Sequence, residues 1–255
     1  MKRLITGGSG LVGSTIDAEI KLGSKDGDLR KWSDVKKIFE THRPTHVIHA
    51  AARVGGVGGN MKAKGEFFYD NIMINTNVLE ACRLYKVEKV VSFLSTCIFP
   101  DSVEYPLTEK KIHLGAPHSS NYGYAYAKRM LDVQTEVYRD QYKLDFVSVR
   151  EFIYAKDIGK LTNWALENYD ESEPIIFSTS HEISIKDLVD LIVNNMGFDG
   201  KVVWQDDKPD GQFRKPSCNK KLMSYVPDFK FTPIEVGLKE TIEHFVKTYP
   251  NLRGV

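Results

Sequence analysis

Tyr124 and Lys128 are four residues apart in the segment Tyr124-Ala125-Tyr126-Ala127-Lys128. On an α-helix, side chains at this spacing lie on one face. An ammonium group close to a phenol stabilises the phenolate and lowers its pKa, which suits a tyrosine that exchanges a proton with a substrate oxygen near neutral pH. The same spacing is common in ordinary surface pairs, so its meaning depends on the residues around it.

Ser95 and Cys97 follow Val90–Leu94, an apolar run that predicts a buried strand. In open α/β folds, ligands bind at the carboxyl ends of the strands, so we expect both side chains at that edge. Two plainer interpretations stay open. Cys97 then acts as a small buried hydrophobic residue, and Ser95 caps a helix or turn.

A glycine-rich turn follows the predicted first strand, Lys2–Thr6, and precedes a helix predicted from about Leu11. Glycines at this position let the backbone approach a pyrophosphate, while the N-terminus of the helix offers N–H donors and a positive dipole end. Compared with an ordinary turn, the pattern favours dinucleotide binding. The residues that we expect to contact the cofactor here are Gly7, Gly10, Leu11, Val12 and Gly13.

The adenine end of a dinucleotide is expected near Asp28 and Leu29. Ser24 and Lys25 could receive a ribose 2′-phosphate, which favours NADPH over NADH. The neighbouring Asp26 opposes this preference, and a solvated, charge-rich turn is the alternative interpretation.

Apolar runs that alternate with amphipathic stretches predict an α/β fold with a parallel sheet to position these residues. The strands predicted after the first are Thr45–Ala50, Val90–Leu94, Phe146–Val149, Pro174–Phe177 and Lys201–Trp204. The helices predicted after the one near Leu11 are Trp32–Thr41, Phe67–Tyr85, Ser119 or Ser120 to Tyr142, one from Asp157, Ser184–Asn195 and Pro233–Val246.

Composition excludes several other classes of protein. With 255 residues, 42% hydrophobic and 27% charged, the chain can form a sizeable core and is not disordered. A formal charge of +1 without long like-charged blocks gives no footprint for nucleic acid or anionic lipid. No stretch approaches a membrane span or signal peptide. Cys82, Cys97 and Cys218 are too few for a disulfide framework or a zinc site, so a reducing cytoplasmic compartment is expected.

Taken together, four segments give a far more specific pattern than any one of them. The chain resembles the extended short-chain dehydrogenase/reductase family along nearly its whole length. The segments are His49-Ala50-Ala51-Ala52-Arg53-Val54-Gly55-Gly56, Ser95-Thr96-Cys97-Ile98-Phe99-Pro100, Asn121-Tyr122-Gly123-Tyr124-Ala125-Tyr126-Ala127-Lys128 and Asp210-Gly211-Gln212-Phe213-Arg214-Lys215.

The resemblance implies a Rossmann-like doubly wound parallel sheet, with an NADP-binding domain over 1–178 and a smaller α/β substrate-binding domain over 179–255. It also implies NADPH-dependent 3,5-epimerisation and 4-reduction of GDP-4-keto-6-deoxy-D-mannose to GDP-L-fucose by a homodimer. In such enzymes the position of Cys97 holds the base, and that of Tyr124 protonates the sugar oxygen beside Ser95 and Lys128. Ala51 and Lys128 are expected to contact the cofactor.

The same resemblance assigns Arg150, Arg214 and Lys215 to the substrate diphosphate. The alternative is that these are solvated basic positions. The helices that begin near Phe67 and Ser119 resemble those that form a four-helix dimer interface in the family. Their alternative is a role as plain core helices.

The chain departs from the family in length, being shorter than its members by roughly 60 residues. The connections at 17–23 and 149–150 are much shorter than those of the family, which indicates that internal segments are omitted there. Either these segments are genuinely deleted, or the parent protein contains them and this sequence does not. The second segment normally carries the histidine acid of the epimerisation. None of the seven histidines occupies its place, although His118 lies six residues before Tyr124.

Three alternatives to full epimerase-reductase activity stay open. The chain could be another nucleotide-sugar epimerase or dehydratase of the same superfamily, against which Cys97 beside Ser95 argues. It could be a catalytically impaired deletion variant. It could also be a non-catalytic dinucleotide-sensing or scaffold protein that kept the fold.

Overall fold

The computed structural model describes residues 1–205, 207 and 211–250. Within these residues, six strands form one sheet in the order β2-β1-β3-β4-β5-β6, and every neighbouring pair is parallel. The strands are β1 (Arg3–Thr6), β2 (Ile20–Leu22), β3 (His46–His49), β4 (Lys89–Phe93), β5 (Asp145–Phe152) and β6 (Ile175–Ser178). This arrangement confirms the predicted Rossmann-like fold class.

Helices connect the strands and cover both faces of the sheet. They are α1 (Trp32–His42), α2 (Val57–Lys62), α3 (Lys64–Leu84), α4 (Tyr122–Tyr142), α5 (Ala155–Asn168), α6 (Ile185–Met196), α7 (Lys220–Tyr225) and α8 (Ile234–Thr248). The short helices α2 and α7 were not predicted. The other helices and the strands match predicted elements within a few residues, apart from β2, which was not predicted.

Alternation along the strands divides the core between the two faces of the sheet. Val47 packs into the cluster beneath α1, α3 and α4, whereas its neighbour Ile48 belongs to the cluster beneath α5. Val90 and Val91 divide in the same way. Both faces of a parallel sheet are covered by helices, so such strands are apolar on both sides.

The helix predicted from about Leu11 is wrong. Only one 3-10 turn, Gly13–Thr15, lies between β1 and β2. The connection spans only residues 7–19, and its first part forms the tight glycine loop, in which Gly7, Gly10 and Gly13 lie against one another, so β2 begins before a full helix can form. The turn therefore gives the glycine loop no helix dipole.

Strand β5 runs without interruption through the abrupt passage at 149–150. Its first part pairs with β4, up to the register pair Phe93 and Val149. Its second part pairs with β6, from Val149 opposite Ile175 to Phe152 opposite Ser178. The direct link thus forms one eight-residue strand that joins the centre of the sheet to its edge strand.

The part of the chain after β6 is loosely packed. Within the described residues, α6 buries none of its side chains, although α6 and α8 contact each other. The strand predicted over Lys201–Trp204 is wrong, because these residues are exposed and pair with no described strand. The proposed boundary at 178/179 stays a prediction.

Among the helices described, none combines the length and the apolar character that crossing a lipid bilayer requires.

Candidate active site

A cleft of about 660 Å³ opens at the carboxyl ends of β1 to β4. This volume lies in the range of small-molecule and cofactor sites. Ten of the predicted site residues line it together: Gly7, Gly10, Leu11, Val12, Gly13, Asp28, Leu29, Ala51, Tyr124 and Lys128. The cleft therefore brings the glycine loop and the tyrosine-lysine pair to one place.

The glycine loop folds back tightly on itself and on the end of β3. Gly7 has a φ of +74°, and a Cβ atom there would lie 2.8 Å from the Ala51 nitrogen. A Cβ atom on Gly13 would lie 2.2 Å from the Gly7 carbonyl oxygen. The Gly10 N–H donates to that same oxygen at 3.0 Å. Side chains at Gly7 or Gly13 would therefore push apart the wall along which a dinucleotide would lie.

Arg30 lies beside the predicted adenine contacts and was missed by the sequence analysis. It lines the cleft and donates to the Asp28 carboxylate through Nε, at 2.9 Å. This hydrogen bond is the main cause that lowers the pKa of Asp28. Arg30 also donates to Asp70, which in turn accepts from Arg53 at 2.6 Å. A basic residue two positions after Asp28 in the β2–α1 connection was the available signal.

The predicted 2′-phosphate contact, Lys25, is exposed, and its side chain is not among those that line the cleft. Its neighbour Ser24 does line it. A role for Lys25 in cofactor choice stays a prediction.

Helix α4 carries Tyr124 and Lys128 into the cleft on one face. Lys128 is almost fully buried, and its Nζ donates to the carbonyl oxygen of Phe93 at 2.7 Å. Tyr124 is half-buried and remains accessible from the cleft. The end of β4 therefore fixes the lysine, while Tyr124 lines space that a substrate can occupy.

Ser95 and Cys97 lie just beyond Leu94, which lines the cleft. The Ser95 hydroxyl accepts from the Cys97 N–H at 3.3 Å and caps a 3-10 turn, Thr96–Ile98. Both side chains are half-buried. Arg129 on α4 donates to the Ile98 carbonyl oxygen at 2.6 Å, which ties this turn to the helix that carries Tyr124.

The three predicted diphosphate contacts lie outside the cleft lining. Arg150 is fully buried in β5, and its guanidinium stacks on the Phe99 ring at 3.6 Å. Arg214 is exposed and pairs with Glu182. Lys215 is half-buried. Asp210, the first residue of the fourth resemblance segment, lies outside the described residues.

His118, the histidine nearest to Tyr124 in sequence, caps the turn before α4. Its Nδ1 accepts from the Ser120 N–H at 3.2 Å. Its Nε2 lies 4.0 Å from Asp101. The structure therefore gives His118 a local capping role.

A parallel sheet with a glycine loop and a tyrosine-lysine pair in one cleft defines a dinucleotide-binding enzyme of the extended short-chain dehydrogenase/reductase class. The chain belongs to the NAD dependent epimerase/dehydratase family, whose model matches residues 3–152. Within that family it is similar to GDP-L-fucose synthases. It is 41% identical to the Dictyostelium discoideum enzyme, covering 98% of this chain and 97% of that protein.

Two further comparisons also show similarity to GDP-L-fucose synthases. The probable GDP-L-fucose synthase of Drosophila melanogaster is 35% identical, with 99% of each chain covered. A crystal structure of a GDP-L-fucose synthetase from Naegleria fowleri bound to NADP superposes with a TM-score of 0.90 at 36% identity, covering 98% of this chain and 94% of that one.

The comparison with the Dictyostelium protein also measures the shortening. The alignment spans 309 positions, whereas this chain has 255 residues in all, so at least 54 aligned positions have no residue here. Because the alignment reaches nearly both ends of both chains, the missing positions are internal.

Proposed function

We propose that this protein converts GDP-4-keto-6-deoxy-D-mannose to GDP-L-fucose by 3,5-epimerisation followed by NADPH-dependent 4-reduction. The observation that carries the proposal is the presence of Tyr124, Lys128 and the glycine loop in one cleft. The similarity to GDP-L-fucose synthases over nearly the whole chain supports the choice of substrate.

The cleft fits an NADP(H) cofactor. The glycine loop offers backbone without side chains, Asp28 and Leu29 would meet the adenosine, and Ala51 and Lys128, which line the same cleft, would meet other parts of the cofactor. The cofactor, when bound, supplies the hydride for C4 of the sugar. Arg30 is a cation that already lines the adenosine end, and this supports NADP(H).

Tyr124 is the proton donor in the reduction. As C4 becomes an alkoxide, its oxygen takes the proton of the phenol, which leaves a phenolate beside α4. The Lys128 ammonium, held by the Phe93 carbonyl, stabilises that negative charge. Ser95, which follows β4, is proposed to hydrogen-bond the same substrate oxygen.

Cys97 is the proposed base of the epimerisation. The 4-keto group acidifies the protons on C3 and C5, so a thiolate can remove each one while the electron pair of the C–H bond moves into an enolate. An acid on the opposite face of the sugar must then give a proton to the enolate, whose electron pair forms the new C–H bond and restores the ketone with inverted configuration. The turn around Cys97 is anchored by Arg129 to the helix that carries Tyr124, which supports one pocket for both reactions.

Arg214 and Lys215 are the proposed contacts of the substrate diphosphate. The guanidinium of Arg214 is exposed and pairs only at the surface with Glu182, so a phosphate can exchange for that partner. Arg150 is proposed for the same role. Its guanidinium is stacked against the Phe99 ring, so Phe99 must move before Arg150 can bind a phosphate.

A second candidate is 4-reduction without epimerisation. At least 54 positions of the relatives are absent, and His118, the histidine six residues before Tyr124, is engaged in capping. Reduction needs the cofactor and one proton donor, whereas inversion also needs an acid on the opposite face of the sugar.

Product analysis separates the two candidates. The protein is mixed with NADPH and GDP-4-keto-6-deoxy-D-mannose, nicotinamide absorbance is followed, and the sugar product is identified. GDP-L-fucose supports the full reaction. A reduced sugar with unchanged C3 and C5 supports the reductase, and an unchanged nicotinamide band contradicts both. Cys97→Ser is expected to block inversion and leave reduction, with Cys218→Ser as the matched control.

We also propose a cytoplasmic homodimer. Apolar and aromatic side chains are exposed at helical spacing along α4, namely Tyr122, Met130, Val133 and Val137. Helices α3 and α4 pack together, so the two can offer one joint face to a second copy. The three cysteines are free thiols, which is in keeping with a reducing compartment.

A further inference from the structure

Four polar side chains form a row across the centre of the sheet. Thr6, His49, Ser92 and Ser148 are lateral register partners on β1, β3, β4 and β5. All four are fully buried. Burying a polar side chain in a sheet costs free energy unless the side chain is hydrogen-bonded, so a row of four such residues requires a structural or functional explanation.

His49 links two neighbours through both of its ring nitrogens. Its Nδ1 lies 2.8 Å from the Thr6 hydroxyl, and its Nε2 lies 3.0 Å from Asn75 Oδ1. The amide nitrogen of Asn75 donates to the Ala127 carbonyl oxygen at 3.2 Å, so its Oδ1 must be the acceptor that faces His49. His49 therefore carries its proton on Nε2, and its Nδ1 accepts from Thr6.

These hydrogen bonds continue in one direction from wall to wall of the cleft. The Ala51 N–H donates to the Thr6 hydroxyl at 3.4 Å, Thr6 donates to His49, His49 to Asn75, and Asn75 to Ala127. Ala51 lines the cleft beside the glycine loop. Ala127 directly precedes Lys128 on α4. The chain of donors thus connects the cofactor wall to the backbone that carries the tyrosine-lysine pair.

The charge state of His49 suits this connection and excludes acid-base work. Burial, and to a smaller extent the nearby Lys128 ammonium, lower the pKa of its imidazole to about 3, against the opposing effect of the hydrogen bond that it donates to Asn75. A neutral ring is required, because a protonated Nδ1 could no longer accept from Thr6. His49 thus holds its neighbours and does not exchange protons with substrate.

We infer that His49 and Asn75 are positioning residues for the reduction: through one directed chain of hydrogen bonds they fix Lys128, and with it Tyr124, at a set distance from the cofactor wall at Ala51. The inference rests on the proposed function, because the step that depends on this distance is proton transfer from Tyr124. When a residue that holds a catalytic group in place is removed, the rate of the reaction falls even if the ligand still binds.

Three variants test the inference through single-turnover NADPH oxidation and NADPH affinity. His49→Phe and Asn75→Leu remove the chain, and we expect the rate of reduction to fall about tenfold to a hundredfold with the dissociation constant for NADPH changed less than threefold. His49→Gln keeps one acceptor and one donor, and we expect it to restore most of the rate. A purely structural residue would change affinity and melting temperature together with rate, and Gln would give no selective rescue.

Ser92→Ala is the matched control. Ser92 is the register partner of His49, equally buried, and its hydroxyl has no hydrogen-bond partner within the described residues. Its removal is expected to leave the rate unchanged. Should His49→Phe fold poorly, Asn75→Leu and His49→Gln still decide. Wild-type rates in both Asn75→Leu and folded His49→Phe would overturn the inference.

Nitrogen NMR of histidine-labelled protein gives a readout that needs no turnover. The His49 signals, assigned by their loss in His49→Gln, should show a neutral ring with the proton on Nε2 from pH 7 down to pH 5. A charged ring, or a proton on Nδ1, would overturn the inference whatever the activity. Absence of NADPH oxidation in the wild type, with the expected NMR signature intact, would instead contradict the proposed function.

Discussion

The Nζ atom of Lys128 lies 2.7 Å from the carbonyl oxygen of Phe93. This contact joins the middle of a helix to the last residue of a central strand, at the edge where parallel sheets bind ligands. Lys128 is buried there, whereas Tyr124, one turn earlier on α4, stays half-exposed. The lysine is thus a fixed part of the framework, and the tyrosine is the group that a substrate meets.

Replacement of Tyr124 by phenylalanine should abolish reduction with little effect on folding. The variant loses the proton donor for the C4 oxygen, and general acid catalysis is worth about 100-fold to 10,000-fold in rate. Loss of the nicotinamide absorbance in the presence of the keto-sugar nucleotide measures it.

Tyr126→Phe is the matched control for that experiment. Tyr126 lies on the same helix, stacks with Tyr122 and does not line the cleft. Equal losses of activity in Tyr124→Phe and Tyr126→Phe would mean that the helix, and not the Tyr124 hydroxyl, is the cause.

Substitution of Gly7 by alanine should weaken cofactor binding. The residue has a left-handed backbone, and the new Cβ would approach the Ala51 nitrogen to 2.8 Å. Strain of this kind costs about 1–3 kcal/mol. If it displaces the loop, the dissociation constant for NADPH rises about tenfold for every 1.4 kcal/mol, as fluorescence titration would reveal.

Gly58→Ala controls for the loss of a glycine as such. It lies in α2, and a Cβ atom there meets nothing within 4 Å. We expect unchanged affinity and a small gain in stability from the better helix former. Unaltered NADPH affinity in Gly7→Ala would show that the turn is not part of the cofactor site.

Several strands and helices of the fold can be predicted from short-range sequence patterns. The buried strands at Val47 and Val90 are short apolar runs, and α1 repeats its apolar residues at helical spacing, so both follow from pattern alone. The helix expected from Leu11 was inferred from the glycine motif and not from periodicity. The first part of the 7–19 connection is instead taken up by the tight glycine loop, and no local sequence pattern expresses that close approach of Gly7 and Gly13.

In the candidate site, Tyr124 and Lys128 were predictable because one short sequence motif contains both. The contacts that depend on register between distant strands were not predictable. His49 meets Thr6 only because β1 and β3 pair in that register, and Asn75 only because α3 packs over them. The burial of Arg150 likewise depends on β5 continuing past Val149 to pair with β6, which the family pattern alone would not suggest.

A charge on the exposed face of α4 should dissociate the proposed homodimer. Val133 and Val137 are 37% and 48% exposed and lie one turn apart. Val133→Glu would place an unpaired carboxylate in an apolar interface, at a cost of about 3 kcal/mol or more, which weakens association at least a hundredfold. Sedimentation velocity should then show a monomer.

Val203→Glu is the comparison for the dimer experiment, since Val203 is also exposed but lies in the C-terminal part of the chain and not on α3 or α4. It should sediment as the wild type does. A wild-type protein that sediments as a monomer would refute the dimer directly, and dissociation by Val203→Glu alone would place the interface elsewhere.

Acidification should destabilise the protein through His49. The pKa of its imidazole is about 3 in the folded chain and 6.5 in the ordinary state, so below pH 6.5 the unfolded chain binds a proton that the folded chain refuses. Stability from this source is intact above pH 6.5 and falls by about 1.4 kcal/mol per pH unit between 6.5 and 3. From pH 7 to pH 5 the loss is about 2 kcal/mol.

His49→Gln has no titrating ring, so the difference between its urea unfolding free energies at these two pH values should be smaller by that amount. His244→Gln, at an exposed histidine, should retain the wild-type difference. If the two variants lose stability equally on acidification, the ring of His49 is not the neutral, buried group that joins Thr6 to Asn75.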